Sequence, residues 1–533
     1  MQSEISCQHR WTAHVLTYRL FSCFVAIAAA YLIGHDCRSF ADEAAYDLRR
    51  GVYRFSYESV ELPKQERMGL VGVQYIVDNG SSFYGGIGFY GAVSGDRGGF
   101  FTGGFAGGYR LPLAWSLYAD TGLFVGGGGG RGAPQGGGLM VRPHIGVIYD
   151  MGMFRAGIEY SSVQFPNGEI HSSQLSGVFD IKFESLAATA LGKDDPASSL
   201  LSASHTEGRE VLFTRSAIAP RYAYYRPADS ARNADHVTKT GSFQVIGIEF
   251  DHWLGELSYV LIQTSGAVGG NADGYAEVFA GLGIRLPVIG RRRTFAIYLD
   301  ANGAVGAAGG GNLDTGNGMM TKISLGAIIE ADRQFGLSVQ AGKATTNGTF
   351  EADTYEASLR YSWETAFLGR PSKEPSPSFH NIKSSEWRIR YAVQQYHKIT
   401  HTDGSDEDVS LLGMKLDKII DGTQFYVTGQ AFSAYGGGAG GYSAGLMGLG
   451  YESDRLFATN ARAFIDLLGG AGGGGGLDTG GGAIVQGAAG IRYDITRNLG
   501  LEIEIGHIRA LSGELYSATS GISLTYRSWS FIR

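Results

Sequence analysis

The chain has 533 residues, of which 83 are glycine and only 12 proline, and its formal net charge is −7. Aromatic residues make up 12%, which excludes a disordered chain, and the lack of a three-residue glycine period excludes collagen. No basic patch runs along it, so nucleic acid is not an expected partner.

The first element is a targeting segment. Arg10 and Arg19 precede the apolar stretch "LFSCFVAIAAAYLIG", and Ser39 and Ala41 stand as the −3 and −1 residues of a cleavage site. Residues 1–41 therefore predict a secretory signal peptide with a long charged leader. The apolar stretch is short for a spanning helix. Cleavage after Ala41 removes Cys7, Cys23 and Cys37, so neither disulfides nor thiol chemistry are expected in the mature chain. No later apolar run is long enough for a transmembrane helix.

Three related units follow. Their openings match at "YRFSY" (53–57), "RYAYY" (221–225) and "WRIRY" (387–391), and their ends at "FDIKFE" (179–184), "LRYSWE" (359–364) and "SLTYRS" (523–528). Between these lie "GGGRGAPQGGGLM" (128–140), "GGGNLDTGNGMM" (309–320) and "GGGGLDTGGGAI" (473–484). The period of about 165–180 residues is domain-sized, far longer than a solenoid repeat. The units are read as 42–184, 221–364 and 387–533. The polar, Pro- and Ser-bearing stretches 185–220 and 365–386 read as linkers.

Inside each unit the period is two. In "LGLEIEIG" (499–506) Leu499, Leu501, Ile503 and Ile505 share one face, and Gly500, Glu502, Glu504 and Gly506 the other. About eight such strands fit each unit, and their length suits a tilted strand crossing a bilayer. Connections alternate between tight turns such as "DNGS" (78–81) and "TRN" (496–498) and longer polar or Gly-rich loops. Apolar faces end in aromatics: Tyr53, Tyr57, Trp115, Tyr149, Trp363, Trp387, Tyr391, Tyr493 and Tyr526. That is the place of an interfacial girdle, and it favours a membrane barrel over a soluble sandwich. The predicted fold is all-β: an antiparallel transmembrane β-barrel of three tandem units with about eight strands each. The units form either three small barrels or one fused barrel of about 24 strands.

On this pattern the chain resembles Gram-negative outer-membrane β-barrel proteins. The resemblance implies a bacterial outer-membrane location, with outer-membrane lipid and the barrel-assembly machinery as partners and no cofactor. The inward positions carry opposite charges among small residues: Asp120, Arg142, Asp150, Asp300, Lys322, Glu330, Arg462, Asp466, Arg492, Asp494, Glu502 and Glu504. They read as a structural ion-pair network in a narrow lumen, which favours three small barrels.

The tail of unit one, "GIEYSSVQFPNGEIHSSQLSGVFDIKF" (157–183), faintly resembles the lipid A deacylase family. The resemblance implies Glu159 where that family has His, Ser161 as the serine and Glu169 as the nearest acid. Glutamate cannot replace the imidazole, and Ser161 is predicted to face the lumen. In unit three His507 faces outward, but Arg509 stands at the serine position. No catalytic residue is assigned, and the histidines show no metal-ligand spacing. The glycine run "GGAGGGGGLDTGGG" (469–482) lacks the Lys-Ser/Thr of a phosphate loop. The expected function is a non-catalytic scaffold whose surface-exposed Gly-rich loops contact an external or envelope partner, its external ligand unknown. The alternatives are a wide, porin-like transport or export pore and a lipid A-modifying hydrolase.

Overall fold

The computed structural model describes residues 46–78, 82–189, 196–291, 295–332, 334–371, 382–457 and 459–533. The signal-peptide reading and the three cysteines lie outside these residues. Among the described residues no helix is long and apolar enough to cross a membrane, which leaves strands as the spanning elements.

The first eight strands are β1 (Tyr46–Glu61), β2 (Arg67–Asp78), β3 (Phe83–Ser94), β4 (Phe101–Pro112), β5 (Leu117–Gly129), β6 (Met140–Asp150), β7 (Phe154–Gln164) and β8 (His171–Ala188). The next are β9 (Arg209–Pro227), β10 (Phe243–Trp253), β11 (Ser258–Gly269), β12 (Ala276–Arg291), β13 (Phe295–Gly309), β14 (Met319–Glu330), β15 (Phe335–Thr346) and β16 (Glu351–Pro371). The last are β17 (Lys383–Thr400), β18 (Asp406–Ile419), β19 (Phe425–Gly436), β20 (Ser443–Glu452), β21 (Ala461–Gly473), β22 (Ala483–Asp494), β23 (Leu499–Ala510) and β24 (Tyr516–Ile532).

Sequential neighbours pair antiparallel throughout. The ladder also returns three times. β1 pairs with β8 from Tyr46↔Ala188 to Tyr57↔Gly177. β9 pairs with β16 from Arg209↔Pro371 to Pro227↔Ala352, and β17 with β24 from Lys383↔Ile532 to His397↔Ala518. Each run of eight strands thus forms a ring without free edges, which satisfies every strand's backbone groups laterally. Short pairings at Trp529↔Ala188 and Thr365↔Ile532 tie the rings into one hydrogen-bonded sheet of 24 strands.

The period-two pattern sets which way each side chain points. Along β23, Leu501, Ile503 and Ile505 are exposed by 46%, 58% and 72%, whereas Glu502 and Glu504 between them are buried. Along β14, Ile323 and Leu325 face out while Lys322 and Ser324 face in. Polarity is inverted relative to a water-soluble protein: apolar outside, charged inside.

Tight turns such as 150–154 and 494–499 sit at one end of the rings, longer loops such as 129–140 at the other. The predicted linkers are shorter than their composition suggests. β8 continues to Ala188 and β9 begins at Arg209, leaving between them a helix α1 (Pro196–Glu207). β16 runs to Pro371 and β17 starts at Lys383. The reason is burial. Leu186, Val211, Leu368, Trp529 and Phe531 from the strand tails close an apolar cluster with Leu200 and Ala203 of α1.

The three Gly-rich loops are the main correction to the sequence reading. They are mostly buried rather than surface-exposed, because each packs backbone-to-backbone against the next ring. The loop after β5 lies on the β19–β20 corner, where a Cβ on Gly440 would stand 2.1 Å from Gly136 O. The loop after β21 lies on the β11–β12 corner, where a Cβ on Gly482 would stand 2.1 Å from Ala267 O. The loop after β13 lies on the β3–β4 corner, where a Cβ on Gly99 would stand 2.4 Å from Gly310 N. The contacts run head to tail and close after three steps. Only glycine permits this approach. Some girdle aromatics also belong to seams. Tyr391 packs edge-on to Phe105 at 5.3 Å, and Trp363 meets Trp387 at 5.5 Å. Tyr57, Trp115, Tyr149 and Tyr493 remain outward and exposed.

Candidate functional site

Each lumen is built around one arginine on the ring's first strand. In the first ring Arg54 donates to Asp180 (2.8 Å), Glu159 (3.0 Å) and Asp120 (2.6 Å). Arg142 joins Glu58 (2.9 Å) and Glu159 (3.3 Å). In the second, Arg221 pairs with Glu356 (2.5 Å) and Glu277 (3.4 Å), and Lys322 with Glu356 (2.5 Å). Arg285 meets Asp300 at 2.9 Å, and Arg215 bonds Glu330. In the third, Arg390 donates to Asp417 (2.7 Å), Asp466 (3.1 Å) and Glu502 (3.0 Å). Lys415 pairs with Glu504 at 2.5 Å, and Arg492 with Glu502 at 2.6 Å and with Glu452.

All twelve predicted network residues lie on strands, and ten are buried: Asp120, Arg142, Asp300, Lys322, Glu330, Asp466, Arg492, Asp494, Glu502 and Glu504. Asp150 and Arg462 sit half-buried at the tight-turn rim. Asp150 pairs with Arg155 and Lys182, Arg462 with Glu452 and Asp494. Sequence reasoning missed the hubs Arg54, Arg221 and Arg390. The signal was present, since each stands inside the matching opening of its unit.

Toward the long-loop end each lumen is closed by an apolar plug. Tyr90, Phe100, Phe124 and Phe165 fill the first ring, Tyr225, Phe243, Tyr275 and Phe350 the second, and Tyr396, Phe432, Tyr442 and Leu477 the third. The "LDTG" repeats serve this closure. Leu313 and Leu477 enter the plugs, and Gly316 and Gly480 take left-handed φ of 59° and 63°. Asp314 accepts the N–H of Gly316 (3.2 Å) and of Thr349 (3.1 Å). Burial pushes this carboxyl up, but those bonds outweigh it and hold its pKa below the usual range. Asp478 repeats the turn with Gly480 and Glu514. Thr479 bonds Asp273 across the seam at 2.5 Å; burial holds that carboxyl above its usual range.

The catalytic residues implied by the deacylase resemblance do not form a site. Ser161 is fully buried in the lumen and donates to Glu58 at 2.6 Å, and Glu159 is held by Arg54 and Arg142. Glu169 bonds Pro134 O through its N–H, in the loop after β7. Asp120, His144 and Glu159 do bring three ligand atoms within 4.8 Å of one another, a grouping invisible to sequence spacing because it spans β5, β6 and β7. Arg54 already supplies the cation to two of them.

An antiparallel closed sheet with an apolar exterior and an ion-paired interior is the strand-built way of crossing an outer membrane. The chain is an outer-membrane β-barrel protein of bacterial type. No protein-family model matches it, and no curated protein matches it. Solved structures that align with it include Acinetobacter baumannii OccAB3 (11% identity, TM-score 0.21, 90% of this chain and 98% of that one). Pseudomonas aeruginosa OccK11 aligns at 10% identity and TM-score 0.21, covering 91% and 98%. OpdK of the same organism aligns at 8% and 0.22, covering 91% and 99%. The class follows from the inverted polarity of the closed sheets, apolar outside and charged inside.

Proposed function

We propose that the chain is a non-conducting outer-membrane scaffold: three filled rings joined into one rigid plate that presents loops to an external or envelope partner. The observation that supports it is the burial of the lumen charges, each held by an opposite charge beneath an aromatic plug. An eight-strand ring is wide enough for its own side chains or one small ligand, not for an aqueous channel. The partner surface moves from the Gly-rich loops to the exposed 228–242 loop. There Arg226, Asp229, Lys239, Lys343, Glu351 and Asp353 line a cavity of about 600 Å³.

The test is conductance of the purified protein in planar bilayers. Stable insertion without steady openings is expected. Large steady openings would instead support a transport pore and sink the filled-ring reading.

A further inference from the structure

On the outer face of the third ring, near its long-loop end, three side chains from different strands converge. His397 of β17 places Nε2 2.8 Å from Ser520 Oγ of β24. Its Nδ1 faces Asp408 Oδ2 of β18 at 3.6 Å. The local backbone explains the meeting. β17 carries a bulge between Tyr396 and Ile399, with Lys398 at a left-handed φ of 53°. A bulge interrupts the ladder and re-aims its side chains. The freed N–H of Lys398 is taken by Asp408 Oδ1 at 2.9 Å, which leaves Oδ2 toward the imidazole. Gln395, opposite Ser520 in register, donates its amide to the same Oδ2 at 3.0 Å.

The site is open, since His397 and Asp408 have side-chain exposures of 38% and 46%. It also borders the apolar band. Ser520 pairs with Ile505, and the next row on that face pairs Ile503 with Ile522; these isoleucines are exposed by 72%, 58% and 62%. Among the described residues the first ring lacks this set. The β1 residue whose N–H bonds a β8 serine as His397 N–H bonds Ser517 is Glu61. The site shares no residue with Glu159, Ser161 and Glu169, nor with His507 and Arg509.

We infer that Ser520, His397 and Asp408 form a serine-hydrolase site for carboxylic esters of membrane amphiphiles, with the acyl chain lying along the isoleucine face. Nucleophile, base and orienting acid stand in the order such catalysis requires, and the arrangement is recognised by geometry rather than by position in the chain. Ser520 Oγ attacks the ester carbonyl while His397 Nε2 takes its proton. The tetrahedral intermediate collapses, its C–O bond breaks, and the leaving alkoxide takes that proton to depart as an alcohol. Water then attacks the acyl-serine, giving its proton to His397, and the fatty acid leaves as Ser520 is regenerated. Asp408 is the positioning residue, itself held by the Gln395 amide and the Lys398 N–H. This goes beyond the scaffold reading and stands whether or not the lumens conduct.

The test treats the full-length folded protein in mixed micelles with an alkyl fluorophosphonate, and measures fatty-acid release from diacyl phospholipid vesicles and, separately, from lipopolysaccharide. Wild type is expected to label at one serine and to release fatty acid in at least one arm, which identifies the source of the ester. Ser520→Ala, a small change on an exposed face, abolishes both. His397→Gln lowers labelling by about 100-fold or more. Asp408→Asn keeps an acceptor for Lys398 N–H yet loses activity, whereas Asp408→Glu recovers part of it; a merely structural aspartate would show the reverse. Labelling that persists in Ser520→Ala, or no release above that variant in either arm, overturns the inference.

Discussion

At the scale of the residue, the lumens depend on single arginines that satisfy several carboxylates each. Arg390 is fully buried and shared among Asp417, Asp466 and Glu502, which are themselves buried. Taking such a cation away leaves desolvated negative charges facing one another, which costs about 3–5 kcal/mol for a broken buried pair. Arg390→Met is therefore expected to destabilise the folded protein by about that amount. Arg390→Lys, which keeps the charge but loses the fork, should fall between. The midpoint of urea unfolding, followed by the heat-dependent gel shift, measures both; equal midpoints for Met and wild type would remove the hub from the account.

At the scale of the element, alternation made the strands and their facing legible. Glu502 and Glu504 are inside and Ile503 and Ile505 outside, as a period of two requires. What alternation cannot carry is the destination of a loop. The stretch 469–482 contains few side chains, so its partner could be learned only from backbone approach across rings. The same limit hid the Ser520, His397 and Asp408 grouping, which depends on a bulge and on the β17–β24 ladder. The seam can be tested by adding one methyl group. A Cβ on Gly440 meets Gly136 O, whereas a Cβ on Gly445 in the adjoining strand β20 meets nothing within 4 Å. Gly440→Ala is expected to force the loop off its neighbour and cost about 1–3 kcal/mol, as overpacking does, while Gly445→Ala stays close to wild type. Hydrogen exchange of residues 128–139 should accelerate in the first variant only. Unchanged exchange in Gly440→Ala would mean that the seam yields without opening.

At the scale of the whole molecule, the question is what holds three rings together. The covalent joins are two, between β8 and β9 and between β16 and β17. The non-covalent ones are more extensive. They comprise three head-to-tail glycine seams, the ladder contacts at Trp529↔Ala188 and Thr365↔Ile532, and the apolar cluster of strand tails around α1. Contacts that close on themselves after three steps need no covalent link to stay closed, because opening one requires straining the other two. Once the full chain has folded, cutting it at protease sites introduced into 190–195 and 372–381 is therefore expected to leave a single complex. The three fragments should co-migrate on an unheated gel and in size exclusion, and separate only on heating. Adding Gly440→Ala to the cut protein should lower the temperature at which they separate. Fragments that part at once on cutting, without heat, would show that the linkers rather than the seams hold the plate together. The same outcome would remove the rigid-plate element of the scaffold reading, while leaving each ring's filled lumen untouched.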